Sequence, residues 1–403
     1  MLDLNSIKNA QKRLDGVIHH TPFSYAPILS EISGYKVYLK KENLQRTGAF
    51  KLRGAFNKIA TLVEEGKKGG VVAASAGNHA QGVAFSAKYF GIDATIVMPE
   101  STPLNKIQGV REFGANVILH GANYDEAYAH AIIYATEKEQ DFVHPFTDDE
   151  VMSGQGTVAI EMLESEPDLD AIVVPVGGGG LIAGMGVAIN ALNPKVKIIG
   201  IASAGAPAMK QSYDTKHAQG TKSVRTIADG IAVRDASPIT LAHILKEVDS
   251  LELVCEDEIS TAILFLLEKQ KLLVEGAGAV GVAGLLHNKI DMPKGSKVGI
   301  VLSGGNIDVT MLSLIIEKGL VKSSRKLKLS VVMIDKPGSL MIFTELLKEV
   351  GANIVHIGYD RTSIDLDFGD AVVSVSLETK GTIHQDEVRK ILKNNGFTFK
   401  EVQ

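Results

Sequence analysis

Short runs of β-branched residues alternate with helix-patterned stretches through the first 320 residues, a rhythm that confines this part of the chain to a parallel α/β architecture. The runs at 71–74, 94–98, 116–119, 171–174, 197–201 and 298–302 read as strands. Amphipathic segments such as 124–138 and 258–268 read as the helices between strands.

The pattern then changes. After the basic stretch Lys322-Ser323-Ser324-Arg325-Lys326, the order becomes strand, helix, strand, strand, helix, strand, which is the split-βαβ, ferredoxin-like plan. The expected organisation is a body at 1–320, a linker at 321–327 and a small domain at 328–403. A chain of 403 residues suits two or three domains. The net charge of -5, with acids and bases interspersed, gives no electrostatic case for nucleic acid or an anionic membrane. One cysteine, Cys255, excludes an intramolecular disulfide and fits a reducing compartment. It stands at a predicted strand end and is expected to pack. Residues 1–5 lack a signal-peptide pattern. The uncharged run 171–194 is long enough for a membrane span, but its glycines and Pro175 suggest a strand, a loop and a buried helix. A soluble, cytoplasmic protein is expected.

Lys51 lies in Thr47-Gly48-Ala49-Phe50-Lys51-Leu52-Arg53-Gly54, between glycines and apolar side chains. A desolvated lysine has a depressed pKa and a nucleophilic neutral amine, suited to a Schiff base with a carbonyl cofactor. Taken alone, a lysine here more often simply snorkels from an apolar turn. Three glycine-containing loops bear on the choice, each following a predicted strand, where open α/β sheets bind ligands. Ser75-Ala76-Gly77-Asn78-His79 offers a hydroxyl, backbone N–H groups and an amide, a receptor for a carboxylate; Ser75 could also be a simple N-cap. Gly177-Gly178-Gly179-Gly180 lets successive N–H groups converge on a phosphate at a helix N-terminus. Gly178, Gly180 and Ala183 also fit a dinucleotide fingerprint, but the next strand ends in Gly200-Ile201-Ala202-Ser203-Ala204, without the acid a ribose needs. Ser303-Gly304-Gly305-Asn306 either places a neutral hydroxyl at a ring nitrogen or is an ordinary turn. Amine, carboxylate receptor, phosphate cup and ring-nitrogen partner together are the parts needed to hold pyridoxal phosphate.

These segments resemble the threonine dehydratase (threonine ammonia-lyase) family of fold type II, tryptophan synthase β-like pyridoxal-phosphate enzymes. The resemblance is carried by Phe50-Lys51-Leu52-Arg53-Gly54-Ala55, Ser75-Ala76-Gly77-Asn78-His79-Ala80-Gln81-Gly82, the tetraglycine, Ser303-Gly304-Gly305-Asn306 and Arg225-Thr226-Ile227-Ala228-Asp229-Gly230-Ile231-Ala232. The C-terminal piece, with Asp335-Lys336-Pro337-Gly338-Ser339-Leu340 and Gly351-Ala352-Asn353-Ile354, is similar to an ACT domain, a module that binds amino-acid effectors. The resemblance implies a two-domain body, large at about 1–50 and 155–320 and small at about 51–154, with an ACT domain at 328–403. It implies that Lys51 carries the cofactor and takes the Cα proton, that Phe50 packs on the cofactor, and that Asn78 bonds its 3-oxygen. Gly177, Gly178, Gly179, Gly180 and the N–H of Leu181 would hold the phosphate, and Ser303 would face the pyridine nitrogen. Ser75, Ala76, Gly77, Asn78 and His79 would hold the substrate carboxylate; Glu275 would stand near the site, directly or behind it. Gly338 and Asn353 would receive an effector's carboxylate, although Pro337 and Gly338 also suit a turn without a ligand.

Departures from relatives narrow the expected chemistry. Serine racemases of this group place a second serine where this chain has Ala76, so elimination is favoured over racemisation. Some relatives bind a divalent cation through carboxylates after the strand at 197–201; here Ala202-Ser203-Ala204-Gly205-Ala206-Pro207-Ala208 has none, and no metal is expected there. A β-replacement synthase and an amino-acid sensor with a degenerate body remain the alternatives. Pairing of ACT modules suggests a homodimer or homotetramer. The effector would be an amino acid: isoleucine would indicate biosynthesis, another ligand catabolism.

Overall fold

The computed structural model describes residues 1–67, 69–362 and 366–402. The chain separates into two compact units, Met1–Asp308 and Val309–Gln403. The first unit begins with strands β1 (Phe23–Tyr25), β2 (Lys36–Lys40), β3 (Val71–Ala74), β4 (Ala94–Met98) and β5 (Asn116–Leu119). Strands β6 (Asp141–Phe142), β7 (Ala171–Pro175), β8 (Lys197–Ser203), β9 (Ser250–Val254) and β10 (Lys297–Val301) follow. They form one sheet ordered β1-β2-β10-β7-β8-β9 and another ordered β5-β4-β3-β6. Every pairing is parallel except that of β1 with β2. Strands β3, β4 and β7 are buried along their whole length, as parallel strands covered by helices on both faces must be. The uncharged run at 171–194 resolves into β7, a glycine loop and the helix Gly180–Leu192. Among the described residues, no helix is long and apolar enough to cross a membrane.

Glycines set the spacing of three helices that carry the chemistry. The helix Asp149–Ser165 lies between the helices Lys51–Glu64 and Gly180–Leu192 and touches both through backbone. A Cβ on Gly54 would lie 2.6 Å from the Val151 carbonyl oxygen, and one on Gly154 2.5 Å from that of Arg53. On the other side, a Cβ on Gly184 would lie 2.1 Å from the Met152 oxygen. An exposed helical glycine is normally improved by alanine, by about 1 kcal/mol. Here the sign reverses: Gly184→Ala is expected to destabilise by about 1–3 kcal/mol, the usual cost of overpacking, seen as a lower urea midpoint. An unchanged or higher midpoint would mean that the two helices are free to part.

Two expectations need correction. Cys255 is exposed at the N-terminus of the helix Glu256–Phe265 rather than packed. β9 ends one residue earlier, and the chain turns outward there to start a helix with three acids in its first turn. The stretch 321–327 is ordered structure rather than a linker. Val321 and Lys322 close the helix Val309–Lys322, and the Arg325 N–H returns to the Leu320 oxygen at 2.8 Å. Lys326 begins the next strand and pairs with Glu317 at 2.6 Å.

The second unit continues with β11 (Lys326–Ile334), β12 (Asn353–Asp360), β13 (Asp370–Glu378) and β14 (Thr398–Glu401). They form an antiparallel sheet ordered β12-β13-β11-β14, the split-βαβ arrangement, with the helices Ser339–Glu349 and Thr382–Asn394. Strict alternation along β11 buries Leu327, Leu329, Val331 and Met333 against Phe343, Leu347, Val388 and Leu392.

Candidate active site

The carboxyl ends of β3, β7 and β10 run into the loops that begin at Ser75, Val176 and Leu302. Residues 48–50 reach the third loop as a short antiparallel ladder. The Gly305 N–H donates to the Gly48 oxygen at 2.8 Å, and the Phe50 N–H to the Ser303 oxygen at 3.0 Å. That ladder delivers Lys51, the first residue of its helix, to the same place as Ser303. The structure brings Phe50, Lys51, Asn78, Gly177, Gly178, Gly179, Gly180, Leu181, Glu275 and Ser303 to the wall of one cavity.

Lys51 is only partly exposed, and its Nζ donates to the Pro145 carbonyl at 3.2 Å. Burial pushes its pKa down to about 8, against the opposing pull of the Glu275 carboxylate. Glu275 is 3% exposed. Burial, helped by the negative charge of Asp229, pushes its carboxyl up to about 7, while the hydrogen bond from Asn78 works the other way. The site therefore holds a weakly basic amine and a weakly acidic carboxyl whose protons are both labile near neutrality.

Asn78 opens the helix Asn78–Phe90. Its Nδ2 donates to Glu275 Oε1 at 2.7 Å, and its Oδ1 accepts from Asn306 Nδ2 at 2.7 Å. His79 points elsewhere: its Nε2 bonds the Val143 carbonyl at 2.8 Å, which leaves Nδ1 unprotonated. Burial and the charge of Lys51 push its pKa down to about 3, so the ring is neutral. Ser75, Ala76, Gly77 and His79 do not line the cavity. Ser75 Oγ accepts from the Gly77 N–H at 3.2 Å, and Ala76 packs against the core of the smaller sheet.

The tetraglycine loop is shaped for an anion. Gly179 has φ +88°, a left-handed conformation that suits glycine, and no side chain caps the helix it precedes. The first-turn N–H groups of Gly180, Leu181 and Ile182 are buried without an intrahelical partner, a situation that calls for a ligand. A Cβ on Gly177 would strike Ile231, and one on Gly178 would lie 2.5 Å from the Phe146 ring. An amine of lowered pKa, a glycine cup and a neutral hydroxyl suit pyridoxal phosphate. The free space is about 30 Å³, with Phe50 and Phe146 the two aromatic side chains on its wall.

Sequence reasoning missed Pro145, Phe146 and Gln155 as wall residues. The signal for the first two was the short strand β6, too weakly patterned to be read. Gln155 sits on the central helix with its Nε2 buried and unpartnered. A larger hollow of about 760 Å³, lined partly by Arg53 and Glu161, shares no wall residue with the Lys51 cavity. Where metal-binding relatives were expected to carry carboxylates, Ser203 Oγ instead donates to Glu256 Oε1 at 2.9 Å. In the second unit, Gly338 (φ +91°) precedes the helix Ser339–Glu349, and Asn353 Nδ2 donates to Glu378 Oε2 at 2.8 Å.

A two-sheet parallel body with a lysine amine facing a glycine cup and a serine defines a fold type II, tryptophan synthase β-like cofactor enzyme. The model of the pyridoxal-phosphate dependent enzymes matches residues 14–304, and the chain belongs to that family. It is 49% identical over 397 residues to an L-threonine ammonia-lyase of Thermotoga maritima, covering 98% of each chain. Among solved structures, the processed form of threonine deaminase isoform 2 from Solanum lycopersicum is 37% identical with a TM-score of 0.73, over 78% of this chain and 86% of that one. Maize serine racemase is 35% identical with a TM-score of 0.74, over 80% and 98%.

Proposed function

We propose that the chain is a threonine ammonia-lyase, converting L-threonine to 2-oxobutanoate and ammonium by α,β-elimination of water, and L-serine to pyruvate. The observation that carries this reading is Lys51, which shares one cavity wall with the tetraglycine loop and Ser303 and whose pKa burial lowers to about 8. Similarity to an L-threonine ammonia-lyase along 98% of both chains supports the substrate.

Pyridoxal phosphate, when bound, supplies an aldehyde that captures amines and an electron sink for the charge left at Cα. Lys51 Nζ would anchor it and, when free, would receive the Cα proton. Its lowered pKa keeps an appreciable neutral fraction near neutral pH. The N–H groups of the tetraglycine loop and Leu181 would hold the phosphate, and Phe50 would pack on the ring. Ser303, on the cavity wall, would offer the ring nitrogen a neutral hydroxyl rather than an acid. The loop from Ser75 to His79, which reaches the cavity wall through Asn78 alone, would take the substrate carboxylate once its other groups turn towards the ligand. With a methyl at Ala76, no second base is offered there, which favours elimination over racemisation. After release, water hydrolyses the enamine product to the 2-oxo acid. The reconstituted protein should form 2-oxobutanoate and ammonium in equal amounts from L-threonine. Formation of D-amino acid or a β-substituted product without oxo acid would replace this reading with a racemase or synthase.

The second unit is, on this proposal, an ACT domain that reports an amino-acid effector through Gly338 and Asn353, in a cytoplasmic homodimer or homotetramer. An effector of this kind would change the affinity for threonine by about 5–150-fold. Assays with and without isoleucine and valine test it, and indifference to amino acids would remove the regulatory role.

A further inference from the structure

Asn306 and Asn78 stand in a line of hydrogen bonds with a fixed direction. Asn306 Nδ2 donates to the Thr47 backbone carbonyl at 2.8 Å and to Asn78 Oδ1 at 2.7 Å. A carbonyl oxygen only accepts, so the Thr47 end determines which way round the Asn306 amide sits. A flipped Asn306 would set oxygen against oxygen. Both hydrogens of its amide are thereby committed, and Asn78 must turn its own oxygen towards Asn306. The Asn78 amino group is left to face Glu275 Oε1, at 2.7 Å, and the cavity that Asn78 lines. One of its two hydrogens serves Glu275; the other remains for a ligand. Glu275 does not impose this direction by itself. A carboxyl pushed up to about 7 is in part protonated at neutral pH and can then donate as well as accept. Gly48 makes room for the arrangement, since a Cβ there would lie 2.5 Å from Asn306 Oδ1.

We propose that Asn306 is a positioning residue that orients the Asn78 amide, so that the site presents an N–H donor rather than a carbonyl to the ring oxygen of pyridoxal phosphate. This rests on the cofactor assignment. A donor at that position stabilises the ring oxygen as an anion, whereas a carbonyl there would favour its protonated form.

Asn306→Asp and Asn306→Ala separate direction from mere support. Aspartate keeps the size but only accepts, so it repels the Thr47 oxygen and draws the Asn78 amino group towards itself, turning the carbonyl to the cavity. Alanine removes the partner and leaves Asn78 free to rotate. The dissociation constant of pyridoxal phosphate from the full-length protein should rise about tenfold in Asn306→Asp and less in Asn306→Ala. In both variants, part of the visible absorption of the bound cofactor should move to the ultraviolet, more in the aspartate variant. Asn306→Ala binding as weakly as Asn306→Asp, or more weakly, would overturn the proposal, since support alone would then explain the loss. Should Asn306→Asp fail to fold, an unchanged cofactor spectrum in Asn306→Ala is equally fatal. Failure of the unsubstituted protein to bind pyridoxal phosphate would instead refute the cofactor assignment.

Discussion

Replacing Lys51 with alanine is expected to lower threonine turnover by about 10³–10⁴-fold or more, because on the proposed mechanism one nitrogen serves as both anchor and Cα base. The variant should still bind pyridoxal phosphate through the glycine cup, but without covalent attachment, so dialysis should strip it. Retained 2-oxobutanoate formation would collapse the assignment. The unsubstituted protein carries a pH signature of the same amine. Its folded pKa of about 8 lies below the ordinary 10.5, so the nucleophilic form is gained at lower pH than for a solvated lysine. Capture of pyridoxal phosphate by cofactor-free protein should quicken with pH and level off above about 8. An inflection near 10.5 would show that the amine is solvated. The linkage has a definite sign. The folded state binds fewer protons than the unfolded one between those two values, so the burden of burying the amine is full below about 8 and relieved as pH rises towards 10.5.

The second large effect is expected at Glu161, beneath the lysine helix. Arg53 and Glu42 are fully buried and Lys40 nearly so. The Arg53 guanidinium meets Glu42 at 2.8 and 2.9 Å and Glu161 at 2.6 and 2.9 Å. Lys40 Nζ completes the group at 2.5 Å from Glu161. Two positive and two negative charges cancel, and the five guanidinium hydrogens are all used once Thr157 is included. Burial raises the Glu42 carboxyl, but the guanidinium prevails and holds it below the usual carboxylate range. Glu161→Ala leaves Arg53 and Lys40 charged and underpaired in the interior, which typically costs about 3–5 kcal/mol. Urea denaturation of the holoenzyme should show a loss of that size and earlier release of the cofactor. A loss below about 1 kcal/mol, the scale of an exposed pair, would mean that water reaches the cluster.

The parallel body and the glycine loops were legible because their signals are local. Apolar runs at 71–74, 94–98 and 116–119 coincide with β3, β4 and β5, and each chemical loop follows a strand. The charge cluster was not legible. Lys40, Glu42, Arg53 and Glu161 each resemble surface residues, and only their distant partners make burial tolerable. β1 and β2 were missed for a related reason. They are short, and β2 carries lysine at both ends because one end is exposed and the other enters that cluster. Within the site, Lys51 and Ser303 could be named from their motifs. The clamp on Asn78 could not, because it joins residues of three separate segments. Phe146 owes its place to a close approach to Gly178, which no spacing in the sequence announces.

The ladder between residues 48–50 and 303–305 also dictates when the site can exist. Synthesis proceeds from the N-terminus, so Lys51 leaves the ribosome long before the segment that pins its approach. Until Ser303 and its neighbours emerge, the lysine helix has neither that ladder nor the neighbouring end of β10, and the amine has no fixed partner for a ring. Completion of the Lys51 cavity is thus a late event in the life of the nascent chain.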